Sequence, residues 1–240
     1  MSAVGVVGHE AADMVITTSG IERRPGGTPI YARRSLHELG VACVVVERGG
    51  FGSRLHHHDG ILEQRVEAVG LPFAASDLLP AVAGCEWVIL GGQTAGDFPP
   101  ETIAALAEAG HRVALDGQGL CRGDAAGPVR LRPFPPEAIH GVSILKLNRA
   151  EAEAAAGSLD PSALAGLGAP EVAVTLGRDG ALGIAAGRAW RSEPTGTGDY
   201  ADPTGAGDTW TAAYVVRRAN GVPPEDAAHA AAEHADHLYL

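Results

Sequence analysis

Between Asp202 and Trp210 the chain reads Asp-Pro-Thr-Gly-Ala-Gly-Asp-Thr-Trp, three nearly side-chain-free residues followed by a carboxylate. The N–H groups of Gly205, Ala206 and Gly207 can approach an anion closely, since nothing larger than a methyl group stands in the way. The apolar stretch from 205 to 218 reads as a helix, and its positive end would add to that attraction. Such an arrangement stabilises a phosphoryl group as negative charge develops on it. Asp208 stands at the helix start, placed to take a proton from a hydroxyl, and a base of this kind contributes ~10²–10⁴-fold. Thr204 and Asp208 are also ordinary helix-capping residues, so taken alone the string supports capping as well as catalysis.

Other reactive side chains are fewer than the length would allow. Lys146 is the only lysine of 18 cationic residues, and it stands one residue before the end of a strand-like run. From there it could reach a phosphate or snorkel out of the sheet. Arg122, Arg130 and Arg132 fall in a polar loop, suited to an anionic substrate or simply to solvent. In the run His56-His57-His58-Asp59 only His56 and His58 share a face of an extended chain, so a solvated loop explains it as well as a metal. Cys121 has Arg122 beside it, which could lower its pKa, yet no histidine partner is evident. No Gly-x-x-x-x-Gly-Lys-Ser/Thr run surrounds Lys146 and no Gly-x-Gly-x-x-Gly run exists, which sets aside P-loop and dinucleotide-binding chemistry.

Positioning these groups requires a sheet covered by helices, and the hydrophobic pattern supplies one. Strands are predicted at 4–8 and 14–18, joined by a tight polar turn, and at 41–46, 87–90, 112–115 and 144–147. Two neighbouring strands at 172–176 and 181–186 flank the turn 177–180. Helices are predicted at 28–39 before Gly40, from Pro99-Pro100 to Gly110, at 148–156, at 205–218, and from Pro223-Pro224 almost to the end. The 117–136 stretch reads as an irregular loop, and 49–71 fits either paired strands or a flap.

Composition narrows the class. A length of 240 residues suits a single α/β domain over 1–240. The net charge of −11 and the absence of a basic stripe argue against a nucleic-acid partner. No apolar run approaches the ~18–20 residues needed to span a bilayer, and no basic leader precedes the first strand, so a cytoplasmic protein with no membrane partner is expected. Three widely spaced cysteines suit buried thiols better than a disulfide frame.

The Asp202–Trp210 string resembles the C-terminal signature of the ribokinase-like (PfkB) family of sugar and nucleoside kinases. Further pieces resemble that family in the same order: Val6-Val7-Gly8 with Asp13, Gly26-Gly27 before a helix, Asn148-x-x-Glu151, and Val174-Thr-Leu-Gly177-Arg-Asp-Gly180. Together they run from residue 4 to about residue 215. The resemblance implies a mostly parallel central sheet sandwiched by helices, with the site at the strands' C-terminal edge. It implies ATP and Mg²⁺, with Asp208 as general base and Gly205, Ala206 and Gly207 as the anion hole. Asn148, Thr175, Gly177 and Thr204 would lie on the nucleotide side, and Glu151 would help hold Mg²⁺ through water. Asp202, with Thr204, occupies a position that in many relatives helps bind K⁺. Asp13, Gly26, Gly27 and Tyr31 would face a small-molecule polyol, and relatives often pair as homodimers.

The chain also departs from the family pattern. Tyr31 stands where sugar-binding relatives commonly place an asparagine, and the wording around it is closer to the cyclitol (inositol) kinase branch. The first two strands run almost directly into the di-glycine, which implies a reduced or missing β-lid. A sugar or cyclitol kinase is therefore expected, with a nucleoside kinase or a non-catalytic ligand-binding relative as alternatives.

Overall fold

The computed structural model describes residues 2–17, 20–58, 61–196, 200 and 202–239, with the backbone alone at 17, 56–58, 61 and 62. The His56–His58 side chains and Asp59 thus lie outside the described residues. In chain order the elements are β1 (Ala3–Thr17), β2 (Gly20–Gly26), α1 (Thr28–Glu38), β3 (Cys43–His58), β4 (Ile61–Ala68), α2 (Ala75–Val82), β5 (Cys85–Gly91) and α3 (Pro100–Glu108). There follow β6 (Arg112–Asp116), α4 (Gln118–Arg122), β7 (Gly127–Pro128), β8 (Val142–Asn148), α5 (Arg149–Ala156), α6 (Pro161–Gly166) and β9 (Glu171–Thr175). The last elements are β10 (Ala181–Ala185), β11 (Arg188–Ser192), α7 (Ala206–Ala219) and α8 (Pro224–Tyr239).

Strands β3-β1-β5-β6-β8-β9 pair in parallel in that spatial order, and β10 and β11 close one edge antiparallel. Alternate residues of each strand enter opposite layers. On β5, Val88 and Leu90 join a cluster with Leu78, Ile103 and Leu106 of α2 and α3. Trp87 and Ile89 join another with Leu36, Trp210 and Tyr214 of α1 and α7. Burial on both faces is why these strands read as unbroken apolar runs. No helix among the described residues is long and apolar enough to cross a membrane.

Two expectations change. Residues 4–8 and 14–18 are not two strands about a turn: β1 is one strand, with a register shift between His9 and Ala11 against β3. Of the polar residues that look like a turn, His9 and Asp13 are buried and bonded inside the fold, whereas Glu10 is exposed on the same continuous strand. The lid, expected to be reduced or missing, is present. Beyond the register shift β1 and β3 run on together, with β2 antiparallel on one side and β4, then β7, on the other. Ala11, Phe51 and Val66 give this extension its own small apolar cluster. The unassigned 49–71 stretch is the second half of β3 followed by β4, and the 117–136 loop contains α4 and β7.

Candidate active site

A cleft of about 700 Å³ lies between the lid and the C-terminal edge of the parallel strands. The chain leaves β1 toward β3 on one side while β5 lies on the other, the kind of switch point at which open α/β sheets bind ligands. Of the residues predicted from sequence, Asp13, Gly27, Tyr31, Asn148, Thr175, Gly177, Thr204, Gly205, Ala206, Gly207 and Asp208 all line this one cleft. Gly26, Glu151 and Asp202 are not among the residues that line it.

The floor is the start of α7. Gly205 precedes the helix in the left-handed conformation (φ 81°), and a Cβ there would fall 2.2 Å from the Tyr31 ring. A glycine is therefore required twice over, by backbone angle and by contact. The N–H of Ala206 turns back onto the Pro203 carbonyl (3.0 Å), so this member of the expected anion hole has a partner within the chain. Asp208 follows in the first turn, and the Thr28 hydroxyl at the start of α1 donates to its Oδ1 at 2.5 Å. Burial and the neighbouring Asp116 carboxylate push the Asp208 pKa up to about 6, against the opposing pull of Thr28, Lys146 and Arg122.

Lys146 proves to be part of this floor. Its Nζ is 3.0 Å from Asp116 Oδ2 and lies 3.0 Å from where a Cβ on Gly207 would be. Burial would lower its pKa, but Asp116, Glu151 and Asp208 outweigh that and hold the ammonium charged. The ion pair follows from register, since Asp116 and Lys146 are direct partners at the ends of β6 and β8. Sequence alternation carried the signal: Lys146 and Asn148, two apart on one strand, share a face. Just beyond, Asn148 and Glu151 form a reciprocal capping box on α5, at 2.9 and 2.8 Å. Burial raises the Glu151 pKa, partly offset by Lys146.

One end of the cleft is rich in amides and hydroxyls. Asp13 Oδ1 accepts from the buried Ser53 hydroxyl at 2.6 Å, and a Cβ on Gly26 would strike Asp13 Oδ2 at 2.2 Å. A Cβ on Gly27 would fall equally close to the His9 carbonyl, so the di-glycine lets α1 start hard against β1. Gln64 of the lid, Gln93, Gln118 and Arg122 complete this end. Arg122 donates to Gln64 Oε1 at 2.9 Å, and burial lowers its pKa. Its place on α4, rather than in a solvated loop, was hidden by the surrounding glycines. Burial pushes the Cys121 thiol up to about 12, with Glu151 and Asp116 outweighing Arg122, so it is no nucleophile. At the opposite end lie Thr175, Gly177 and the carboxylate of Asp236, which accepts from Thr195 (2.6 Å) and Tyr200 (2.7 Å).

The two expected cations fare differently. Glu151 commits one oxygen to the capping box, and its Oε1 has no hydrogen bond among the described residues, which suits a water-mediated contact with Mg²⁺. No cluster of three or more His, Cys, Asp or Glu among the described residues could hold a metal directly. A potassium ion does not fit at Asp202. Its Oδ2 accepts from Arg24 Nη1, its Oδ1 accepts from the Thr204 N–H (3.0 Å) and hydroxyl (2.7 Å), and Arg24 Nη2 donates to the Thr204 hydroxyl (3.1 Å).

Residues 101–236 match the family described as pfkB family carbohydrate kinase. In structure the chain is similar to a pyrophosphate-dependent kinase in the ribokinase family complexed with a pyrophosphate analog and myo-inositol (TM-score 0.82, 20% identity, 95% of this chain and 92% of that one). It is similar also to Arabidopsis thaliana ribokinase complexed with ribose and ATP (TM-score 0.76, 20% identity, 98% and 91%). Ribokinase from Thermotoga maritima gives a TM-score of 0.71 at 15% identity, covering 99% of each chain. At these identities the likeness is one of fold.

Proposed function

Because the chain belongs to the PfkB family of carbohydrate kinases, we propose that it transfers a phosphoryl group from ATP to a hydroxyl of a sugar or cyclitol, with Asp208 as the general base. The observation that carries this reading is the Asp208 carboxylate at the start of α7, held by Thr28, beside an ammonium that lies against Gly207. A base with a pKa of about 6 is mostly ionised at neutral pH yet basic enough to accept a proton as the hydroxyl oxygen attacks. The start of α7 and the Lys146 ammonium face the charge that develops on the transferred group. Asp13, Ser53, Gln64, Gln93 and Gln118 offer the dense donors and acceptors that a molecule covered in hydroxyls needs for orientation. Mg²⁺ bound with the donor would supply charge neutralisation at its phosphates, with Glu151 the residue to hold it through water.

The donor is the second question. At the end of the cleft away from Asp13, Asp236 is already engaged by Thr195 and Tyr200, and a Cβ on Gly196 would come within 2.7 Å of it. A small donor without a base would leave that end alone. One of the similar structures is pyrophosphate-dependent, which makes pyrophosphate the comparison to run.

The test is phosphorylated product formed from a panel of sugars, cyclitols and nucleosides, with ATP or pyrophosphate and Mg²⁺, alongside Asp208→Asn. Acceptor-dependent turnover with ATP that vanishes in the variant supports the reading and names the acceptor. Turnover with pyrophosphate alone overturns the donor assignment, and near-native turnover by the variant overturns the base. Ligand binding without turnover on the whole panel would favour a non-catalytic binding protein.

A further inference from the structure

Arg24 lies on the lid strand β2, yet its guanidinium reaches the loop that leads into α7. There it meets the oxygens that a monovalent cation would need. Both Asp202 carboxylate oxygens are engaged, one by Arg24 and the other by Thr204. The Thr204 hydroxyl accepts from Arg24, and the Thr204 carbonyl accepts from the Tyr239 hydroxyl at 3.1 Å. A planar guanidinium presents N–H donors in a fixed fork and carries its charge at all accessible pH values, so it can serve a carboxylate and a hydroxyl together. The loop it holds, Asp202-Pro203-Thr204, runs straight into Gly205, Ala206 and Gly207.

We propose that Arg24 is a built-in substitute for a monovalent cation at this loop, making the chain indifferent to potassium and tying the anion hole to the lid. Register gives the tie its direction. Arg24 pairs directly with Asp13 across the antiparallel β1–β2 ladder, so the two side chains share the face of the lid that looks onto the cleft. Whatever draws Asp13 toward an acceptor carries Arg24 with it, and Arg24 holds the loop before α7. A free potassium ion could order the loop but could not link it to the lid. Arg24 is thus a positioning residue. An ordinary surface ion pair would be worth little here, and its loss would not be repaired by a particular cation.

The activity arm of the test rests on the kinase reading, and the melting arm does not. In ligand-free protein, melting temperature is compared in KCl, NaCl and tetramethylammonium chloride at equal ionic strength. The wild type is expected to melt identically in all three, whereas Arg24→Ala should be stabilised by K⁺ selectively and Arg24→Lys should regain indifference. In turnover, the wild type should run equally fast with and without K⁺. Arg24→Ala should lose about 10- to 100-fold in kcat, the scale of a lost hydrogen bond to a charged group, and recover part of it in K⁺. A wild type that K⁺ specifically stabilises or activates overturns the proposal, and this arm needs no variant to fold. A folded Arg24→Ala with unchanged kcat and no response to K⁺ also overturns it. If no acceptor or donor supports turnover, the kinase reading fails while the melting comparison still decides the cation question.

Discussion

At the scale of single residues the decisive quantity is the protonation of Asp208. Its pKa of about 6 comes from burial and the Asp116 carboxylate, so the rate should fall about tenfold per pH unit below about pH 6 as the base is lost. The Thr28 hydroxyl favours the charged form. Thr28→Val should therefore move the acid limb of the kcat profile to higher pH while costing much less on the alkaline plateau. A limb that stays in place would assign the titration to another group. The same shift is a statement about stability. The folded state binds the proton more tightly than the unfolded chain, whose aspartates ionise near ~4. The ionised carboxylate therefore destabilises the fold at neutral pH, on the order of 2–3 kcal/mol, and the penalty disappears as pH falls through 6 toward ~4. Asp208→Asn keeps an acceptor for Thr28 and should melt above the wild type near neutrality, losing that margin in acid. Melting curves across that range check the sign, and a variant that melts lower near pH 7 would show that the Lys146 attraction dominates.

At the scale of elements, the start of α7 is where geometry leaves least freedom. Gly205→Ala would place a methyl group inside the Tyr31 ring at a φ of 81°, so α7 must shift or α1 must retreat. kcat should fall by more than about 100-fold, since a misplaced catalytic geometry of about 1 Å costs that much, with a melting temperature lowered only modestly. Circular dichroism with turnover separates the two; a variant with native kcat would mean that α7 does not set the geometry. This junction could be read from sequence because small residues followed by a carboxylate in the first turn mark a helix start whatever surrounds them. The α5 start was readable for the same reason, as Asn148 and Glu151 form a local capping box. Asp116 was not, and Lys146 and Arg122 could be named only as candidates, because what makes the three a site is pairing between β6 and β8 and the placement of α4, contacts between residues distant in sequence. Arg24 was hidden likewise, 178 residues from Asp202.

Across the whole molecule the lid is the same two strands that build the core, carried past its edge. Periodicity could not show this, because β1 crosses the boundary at His9, where a buried histidine and a register shift interrupt the apolar run. The core portion is covered by helices on both faces, whereas among the described residues the lid sheet carries the small cluster of Ala11, Phe51 and Val66, with Val129 packed against it. Local opening should therefore separate the two halves of β1 and β3 energetically even though each is one strand. In hydrogen exchange the amides of Val4–Val7 and Val44–Val46 should be protected far longer than those of Ala11–Ile16 and Phe51–Leu55. Binding an acceptor at Asp13 should slow exchange in the lid halves and, through Arg24, in the Asp202–Thr204 segment, leaving the core halves unchanged. Uniform protection along β1 would mean that the lid is no separate body. Slowing in the lid without slowing in that segment would leave the two sides of the cleft mechanically independent, and closure could not then be what orders the anion hole.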